Sequence, residues 1–402
     1  MNAKQTNGAV GTPAIRQDPA QIYDFGAGKP DPHTFPKEAL AEAARRVIER
    51  EGPSLATYPG GLGYERLRAL AVRRFHRAND LTLPLGDVIT TNGSMQAIIL
   101  ATQAFCPRGE TVIVEEYCYS GTLGVLRQYG AHVQGVALDS DGMLPDSLDH
   151  AIQRVKRAGR AIGYVYSIAT HQNPTGVIMP AARRTEVVDI CRRHDVLLVE
   201  DDCYADVVFE GEMPRAMYTI AEPGRAIYIG SFSKILGPGV RLGYFAAPEA
   251  LGARLLAYKK DGGTSALSSM VVAEFLEDQL WQQIESVCRV VRAKRDTLFG
   301  ALQRELGGLV EWSHPRGGLF TWLSLPEGID TQTIAQLAKE RHLLYATGKS
   351  FSASDQDVPF LRLAFGHIAH DLIDDGVELL GECIEGAAPG ARAARTPALA
   401  AT

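Results

Sequence analysis

Residues 231–243 read SFSKILGPGVRLG, and this stretch decides how the rest of the chain is interpreted. It follows a short apolar run that we predict to be a β-strand. Two hydroxyls, Ser231 and Ser233, and the guanidinium of Arg241 lie near Lys234 in the sequence. Such groups hold phosphates, although most lysines in proteins are plain surface residues. Because a lysine amine beside a phosphate-bearing aldehyde can form a Schiff base, we interpret Lys234 as a covalent cofactor site.

The chain before and after this stretch alternates short apolar runs with amphipathic helical stretches. Strands are predicted at residues 87–91, 111–115, 132–137, 162–168, 196–200, 226–229 and 241–246. Helices are predicted between most of them, for example at residues 64–77, 95–105 and 181–193. This alternation is typical of an α/β fold, with a three-layer large domain whose mainly parallel sheet carries helices on both faces.

A second, smaller α/β domain is predicted after residue 265, where the pattern changes to a long helical stretch. A chain of 402 residues also exceeds one ordinary core. The later strand-like and helical runs lie at residues 319–324, 331–341, 360–365 and 371–382. We therefore divide the chain into a disordered N-terminus (1–18), a segment packing with the small domain (19–50), a large domain (51–280), a small domain (281–385) and a disordered tail (386–402).

Charge and composition exclude several classes of protein. A formal net charge of −6 argues against a nucleic-acid binder and against a basic membrane-surface protein. The apolar runs are too short to span a bilayer, and the N-terminus carries no secretory pattern, so we expect a cytoplasmic protein. The six cysteines are scattered without a CxxC pair, which is typical of reduced packing residues.

A pair of carboxylates, Asp201 and Asp202, follows the predicted strand at residues 196–200. Ligands of open α/β sheets bind at the carboxyl ends of the strands, so both side chains are candidate site residues. Two carboxylates can bind a metal, but no histidine or further carboxylate follows at ligand spacing, and we predict no metal site. A carboxylate there can instead hold a heteroaromatic nitrogen protonated.

Three further strand ends carry groups that suit a phosphorylated ring. Residues 170–176 read THQNPTG, a typical turn, in which Asn173 adds an amide that can donate to a phenolate oxygen. Residues 92–96 read NGSMQ and open a predicted helix, whose free N–H groups and dipole suit a phosphate. Tyr119 offers an aromatic face for a ring to stack on.

Taken together, SFSKILGPGVRLG, the NPTG at residues 173–176 and the DDCY at residues 201–204 resemble the fold-type I enzymes that use pyridoxal phosphate (PLP), specifically the class I/II aminotransferases. The resemblance extends from about residue 25 to about residue 383. FGAGKPDPHTFP near the start and YPGGLGYERLRALA resemble the branch of 2-aminoadipate or kynurenine-type aminotransferases and MocR-type regulators. The resemblance implies a homodimeric aminotransferase that moves an α-amino group from an amino acid to a 2-oxo acid by aldimine chemistry. It also implies a role in amino-acid metabolism and biosynthesis.

The resemblance also implies roles for individual residues. Lys234 matches the lysine that binds PLP and then moves the proton between the substrate Cα and the cofactor. Asp201 matches the aspartate on the pyridine nitrogen, and Tyr119 matches the ring that stacks on the pyridine. Asn173 and Tyr204 match the pair that hydrogen-bonds the phenolic oxygen.

Phosphate and carboxylate binding are implied in the same way. Tyr58 matches the tyrosine that reaches across a homodimer interface to the partner's phosphate. Arg362, in LRLAFG, matches the arginine that binds the substrate α-carboxylate together with Asn173 and Gly28, and a bidentate guanidinium suits that group; the other interpretation is a structural salt bridge. The residues that match the phosphate cradle are Ser94, Met95, Gln96, Ser231, Ser233 and Arg241.

Some alternatives stay open at this point. Lys29 and His171 depart from the branch, and we interpret His171 as a structural variant rather than a base. A PLP lyase, decarboxylase or cyclase on the same scaffold is the alternative reaction. A transcriptional regulator would need a DNA-binding module before Phe25, where the chain is too short for one. A catalytically dead scaffold is disfavoured because the lysine, aspartate and arginine of the site are all present.

Overall fold

The computed structural model describes residues 21–387, so the predicted disorder at residues 1–18 and at residues 388–402 of the predicted tail (386–402) lies outside the described residues. The first two residues of that predicted tail, 386 and 387, are instead the last residues of a helix, which begins at Ile373. The strands are β1 (Tyr23–Asp24), β2 (Val88–Thr91), β3 (Thr111–Glu115), β4 (His132–Val136), β5 (Leu138–Asp139), β6 (Gly142–Met143), β7 (Ile162–Ser167), β8 (Leu198–Asp201), β9 (Ala226–Ser231), β10 (Gly243–Ala246), β11 (Glu311–Trp312), β12 (Phe320–Ser324), β13 (Leu343–Leu344), β14 (Ala346–Thr347) and β15 (Phe360–Ala364). The helices are α1 (Lys37–Glu51), α2 (Glu65–Asn79), α3 (Ser94–Phe105), α4 (Ser120–Gln128), α5 (Pro145–Arg157), α6 (Ala181–Arg193), α7 (Glu249–Leu256), α8 (Ala266–Leu306), α9 (Thr331–Glu340) and α10 (Ile373–Ala387).

The large sheet has the strand order β2-β10-β9-β8-β7-β3-β4. Strand β10 runs antiparallel to both of its neighbours, and the remaining pairs along the sheet from β9 to β4 are parallel. Every residue of β2, β3, β8, β9 and β10 is buried, as expected for strands covered on both faces. The prediction of a mainly parallel sheet in an α/β fold is therefore confirmed.

Alternation along β7 shows how the two faces of the sheet are covered. Tyr164 and Tyr166 belong to the apolar cluster that includes α3 and α4, whereas Val165 packs in the cluster that includes α5 and α6. Successive side chains of a strand point to opposite faces, so one strand contributes to both layers of helices. The result is the three-layer arrangement that the sequence predicts.

The carboxyl-terminal half carries a second sheet, antiparallel, with the order β11-β12-β15-β14. The long helix α8 begins after Ser265, whose side chain accepts a hydrogen bond from the amide of Ser268. At the other end of the chain, β1 pairs in parallel with β13, with Tyr23 opposite Leu343. Within residues 21–387, no helix combines the length and apolar character needed to cross a membrane.

Most predicted strands lie within two residues of their observed limits, and the start of β10 shows why some shift. The prediction placed this strand at residues 241–246, but β10 begins at Gly243. Arg241 follows a short 3₁₀ turn and has a φ of 54°, in the left-handed region, which is incompatible with a strand. At the same edge of the sheet lie the carboxyl ends of β2, β3, β7, β8 and β9.

Candidate active site

Lys234 follows β9 and is surrounded by groups from distant parts of the chain. Its Nζ donates to the carbonyl oxygen of Gly28 over 2.8 Å and lies 5.1 Å from the ring centroid of Tyr204. Burial lowers the pKa of the Lys234 amine, and the nearby positive charge of Arg362 acts in the same direction. A lowered pKa favours the neutral amine, which is the form that attacks an aldehyde or takes a proton.

Asp201 is the last residue of β8, and its carboxylate lies near Lys234 with one oxygen available to a ligand. Its Oδ2 accepts a hydrogen bond of 2.7 Å from the hydroxyl of Tyr166, which itself accepts one of 3.0 Å from Thr122 Oγ1. Its Oδ1 is buried and has no hydrogen-bond partner among the described residues. Burial raises the pKa of Asp201, while Cys203 and Tyr166 act in the opposite direction. A ligand N–H donating to Oδ1 would satisfy this oxygen and favour the ionised carboxylate.

Asp202 lies in a different environment from its neighbour. Its Oδ2 accepts a hydrogen bond of 3.0 Å from the hydroxyl of Tyr228, in the next strand of the sheet. Burial raises the pKa of Asp202 to about 6, with Arg184 lowering it. The side chains of Asp201 and Asp202 therefore have separate sets of partners, and only Asp201 shares electrostatic contacts with Lys234.

Arg362 lies on β15 of the smaller sheet and forms a hydrogen bond to the loop that follows β7 of the large sheet. Its Nη1 donates to Asn173 Oδ1 over 3.1 Å, and its Nη2 donates to the carbonyl oxygen of Gly26 over 2.6 Å. Asn173 Nδ2 in turn donates to the hydroxyl of Tyr204 over 3.2 Å. The guanidinium carbon lies 4.4 Å from the ring centroid of Phe320 and 4.9 Å from that of Phe351, so the planar group is held by two aromatic rings and two acceptors.

The charge of Arg362 is not neutralised by a neighbouring carboxylate. Within residues 21–387 it forms no ion pair, and its Nε is buried without a hydrogen-bond partner. Burial lowers the pKa of Arg362 to about 10, so the side chain is still a cation at neutral pH. An unpaired buried cation of this kind suits an anionic ligand, and the interpretation as a structural salt bridge finds no partner here.

A cradle for an anion lies where β2 and β10 meet the start of α3. Gly93, with a φ of 80°, precedes the helix, and a Cβ there would lie 2.9 Å from Arg241 Nη2. Arg241 Nη2 donates to the carbonyl oxygen of Asn92 over 3.0 Å. Nearby, Ser231 Oγ accepts from the amide of Ser233 over 3.1 Å. Hydroxyls, a guanidinium and the amides of a helix N-terminus are the groups that bind phosphates.

Gln96 and Met95 contribute to this cradle in different ways. Gln96 Oε1 accepts from the Asn92 amide over 2.8 Å, and its Nε2 donates to Asp261 Oδ2 over 2.7 Å. The side chain of Gln96 therefore holds the turn and has its polar atoms engaged. The methyl group of Met95 lies beside the ring of Tyr119, since both would be within 2.7 Å of a Cβ at position 121, where the chain has glycine. The ring of Tyr119 therefore lies next to the first turn of α3.

Two predicted residues sit at the edge of the site or away from it. The Gly28 carbonyl meets Lys234, and a Cβ at this position would lie 3.0 Å from the Phe320 ring. Tyr58 is 88% exposed in the single chain and contacts the loop at Gly262, so it does not reach the cradle of its own chain.

The two residues that depart from the branch also have distinct surroundings. Lys29 is exposed. His171 is fully buried with a φ of 53°, and its ring lies against Gly317 and Gly318. In the part of the chain that the structure describes, neither ring nitrogen has a hydrogen-bond partner. Burial lowers the pKa of His171 to about 3, so the ring is neutral and packs as an apolar group. These surroundings fit a packing residue rather than a base.

Some members of the site carry no signal in the sequence. Tyr166 lies on a predicted strand and looks the same as the core residue Tyr164, although its hydroxyl orients Asp201. Gly26 acts through its backbone carbonyl, and Phe320 acts by stacking on Arg362. Gly28, whose carbonyl oxygen accepts from Lys234, was predicted as a site residue through the stretch FGAGKP.

Comparisons with known proteins agree with this geometry. The family described as aminotransferase class I and II matches residues 20–379. Aromatic-amino-acid aminotransferase 1 of Thermococcus litoralis is 31% identical over 369 residues, covering 91% of this chain and 88% of that protein. The 2-aminoadipate transaminase of Thermus thermophilus is 32% identical over 372 residues, covering 91% and 90%.

A solved structure of similar fold is also an aminotransferase, and it contains a compound derived from pyridoxal phosphate. The α-aminoadipate aminotransferase of Thermus thermophilus, complexed with N-(5'-phosphopyridoxyl)-L-leucine, superposes with a TM-score of 0.85 at 30% identity and covers 92% of this chain and 93% of that one. In our structure, the free oxygen of Asp201, the cradle at Gly93 and the amine of Lys234 fit pyridoxal phosphate.

The fold and the site therefore define a PLP-dependent enzyme of fold type I. More narrowly, the chain belongs to the aminotransferase class I and II family, and it is a PLP-dependent aminotransferase.

Proposed function

We propose that Lys234, Asp201 and Arg362 divide the work of transamination between an amino acid and a 2-oxo acid. The observation that carries this proposal is that the site contains both a buried hydrogen-bond acceptor and a buried cation that are available to a ligand. Among residues 21–387, Asp201 Oδ1 is a buried acceptor that no donor reaches, and Arg362 is a buried cation that no carboxylate pairs with. Lys234 has electrostatic contact with both residues. A ring nitrogen and a substrate carboxylate would satisfy the two open groups.

Arg362 binds the substrate α-carboxylate in this proposal. Its planar fork can form two parallel hydrogen bonds, and Phe320 and Asn173 hold the guanidinium in one orientation. Fixing the carboxylate limits rotation of the substrate and presents its Cα–H bond to Lys234. The substrate must displace or share the contact with the carbonyl oxygen of Gly26.

Lys234 moves the proton. Its Nζ takes the proton from the substrate Cα and later returns it, a role that its lowered pKa favours. Pyridoxal phosphate, when bound, supplies the electron sink that makes this proton acidic. Asp201 would hold the ring nitrogen protonated, while Asn173 and Tyr204 would donate to the phenolic oxygen. Tyr119 would stack on the ring, and the cradle would bind the phosphate through Ser94, Met95, Gln96, Ser231, Ser233 and Arg241.

A homodimer is the proposed active unit, with Tyr58 completing the phosphate site of the partner subunit. Tyr58 is 88% exposed, and large apolar side chains are also exposed at Leu62 on the same loop, at Tyr258 after α7 and at Leu267 at the start of α8. Clustered exposed apolar side chains commonly mark an interface, which supports the proposal. Sedimentation velocity tests the assignment: we expect a dimer, and a fully active monomer would overturn it.

The proposal also covers the limits of the domains, the cellular location and the metabolic role. We divide the chain at residues 19–50, 51–280 and 281–385 and place the enzyme in the cytoplasm. Pairing of β1 with β13 supports assigning residues 19–50 to the small domain. A role in amino-acid metabolism and biosynthesis is supported by relatives named for aromatic amino acids and 2-aminoadipate.

The reaction is tested by its first half. Holoenzyme is mixed with single amino acids and no acceptor, and the products are identified by mass spectrometry. We expect one equivalent of a 2-oxo acid and pyridoxamine phosphate on the enzyme. If a broad panel of amino acids gives only decarboxylated, eliminated or cyclised products, the enzyme is a lyase, decarboxylase or cyclase. Relatives named as aminotransferases favour transamination.

A further inference from the structure

Asp261 lies on the loop between α7 and α8 and collects four hydrogen bonds on one carboxylate. Its Oδ2 accepts from Asn92 Nδ2 and from Gln96 Nε2, each over 2.7 Å. Its Oδ1 accepts from Lys259 Nζ over 2.9 Å and from the amide of Gly263 over 3.0 Å. Only an ionised carboxylate can accept on both oxygens without presenting a proton to any of these donors.

Two of these four donors belong to the turn that opens α3. Asn92 and Gln96 are also joined to each other, because the Asn92 amide donates to Gln96 Oε1 over 2.8 Å. The carbonyl oxygen of Asn92 accepts from Arg241 Nη2 over 3.0 Å. A continuous chain of hydrogen bonds therefore runs from Asp261 through the turn to the guanidinium of the phosphate cradle.

The negative charge of Asp261 is held in place by a buried cation. The side chain of Lys259 is fully buried, and its only ion-pair partner among the described residues is Asp261. Burial opposes ionisation, but hydrogen bonds from Gln96, Lys259 and Gly263 together lower the pKa of Asp261 to about 2. The carboxylate is thus ionised throughout the physiological range of pH.

The loop itself is fixed from its other side. A Cβ at Gly263, where φ is 108°, would lie 2.5 Å from the carbonyl oxygen of Gly60 and 2.8 Å from Pro59 Cγ. This close backbone contact leaves the loop little freedom to move away from the turn. Asp261 therefore has a defined position from which to orient the residues that it contacts.

We propose that Asp261 is a positioning residue for the cofactor phosphate, acting through Asn92 and Gln96 to hold the α3 turn and Arg241 in the geometry that binds the ester. The inference rests on the proposed role of the cradle. It assigns to a carboxylate a favourable effect on the binding of a dianion, although its direct charge effect is repulsive. The two effects have opposite signs, which makes them separable by experiment.

The test is Asp261→Asn, followed by the dissociation constant of pyridoxal phosphate from apoenzyme, read from absorbance, and the ³¹P NMR shift of the bound ester. Each carboxylate oxygen of Asp261 accepts from two donors, so the NH2 group of asparagine would face two of the four donors and the turn would loosen. We expect binding about tenfold weaker or more, with a displaced ³¹P signal. If the carboxylate acts by charge alone, removing it tightens binding, and that result overturns the proposal, as does an unchanged constant.

A double-mutant cycle with Gln96→Met tests the route. If Asp261 acts through Gln96, the two substitutions together weaken binding by clearly less than the product of their separate effects. Full independence of the two effects would contradict the proposed route. Gln96→Met also provides the affinity measurement if the Asp261 variant does not fold.

Two controls separate this inference from the proposed function. Asp139→Asn removes a carboxylate that also accepts from an arginine, Arg183, and a backbone amide, that of Asp141, but lies on β5; we expect no change in affinity. Arg241→Gln should weaken binding in any case. If Arg241→Gln leaves affinity intact, the cradle assignment itself fails. If Arg241→Gln weakens binding and Asp261→Asn does not, only the inference about Asp261 fails.

Discussion

Arg362 Nη1 donates to Asn173 Oδ1 over 3.1 Å, so a residue of β15 in the smaller sheet is tied directly to the loop after β7 in the larger one. Asn173 uses its other side-chain atom to donate to Tyr204. One amide thus links the group proposed for the substrate carboxylate to the group proposed for the cofactor's phenolic oxygen. This contact is one of those that fix Arg362 relative to the cofactor site, together with the carbonyl oxygen of Gly26 and the ring of Phe320.

Replacing Arg362 with Lys should lower kcat/KM for amino acids by about two to three decades, equivalent to roughly 3–4 kcal/mol. Lysine keeps the charge but cannot form the planar fork. The measurement is the rate of the first half-reaction with an amino acid and, as a control, with the corresponding amine that lacks the carboxylate. We expect the loss with the amino acid only. An equal loss for both substrates would mean that Arg362 does not bind the carboxylate.

Asp201→Asn should reduce turnover by orders of magnitude while the protein still binds the cofactor, because the phosphate cradle is untouched. The neighbouring Asp202→Asn is the matched control, since Asp202 is bonded to Tyr228 instead. Steady-state rates and cofactor content are compared in the two variants. A crippled Asp202 variant with a nearly normal Asp201 variant would reverse the assignment.

Burial of the neutral His171 ring should make the folded protein less stable against unfolding in acid. Burial lowers the pKa of the folded-state ring to about 3, whereas an unfolded histidine titrates near its usual value, about 6.5. Between these values the unfolded state binds the extra proton, so stability falls as the pH falls from about 6.5 towards 3, by up to about 4 kcal/mol.

His171→Phe should remove that part of the acid loss. Melting temperatures of wild type and variant are measured from pH 7 to pH 4, with a variant of the exposed His132 as control. We expect the His171→Phe curve to be flatter than the wild-type curve and the control to follow the wild type. Parallel curves for all three proteins would show that the ring is not buried as described.

Gly28→Ala should weaken substrate binding more than cofactor binding. The added methyl group would lie 3.0 Å from the ring of Phe320, which supports Arg362, and 4.0 Å from Arg362 Nη1. Displacement of Phe320 moves the guanidinium, so we expect KM to rise by about tenfold with little change in the affinity for pyridoxal phosphate. A variant with normal KM and weakened cofactor binding would contradict this account.

Much of the fold was predictable because its signals are local. Alternating apolar and amphipathic runs give the order of strands and helices, and polar residues that follow the strands then fall at one edge of the sheet. The start of β10 was wrong by two residues because Arg241 adopts a left-handed conformation, with a φ of 54°, directly before the strand. Residue type alone does not reveal that conformation.

The parts of the site that escaped prediction are contacts between distant elements. Tyr166 is paired with Val199 in the register of β7 and β8, and this register is what brings its hydroxyl to Asp201. The carbonyl oxygens that meet Lys234 and Arg362 belong to the backbone and leave no mark in composition. The role of Tyr58 stays a prediction, since a single chain places it on the surface.

The central claim is that Lys234 binds pyridoxal phosphate covalently, and borohydride reduction of the holoenzyme tests it most directly. Reduction fixes the cofactor to the amine that holds it, and digestion followed by mass spectrometry locates the label. We predict one phosphopyridoxyl group per chain, on the peptide that contains Lys234, and none on a Lys234→Ala variant. A label on a different lysine, or cofactor that washes away after reduction of the wild type, would contradict the account.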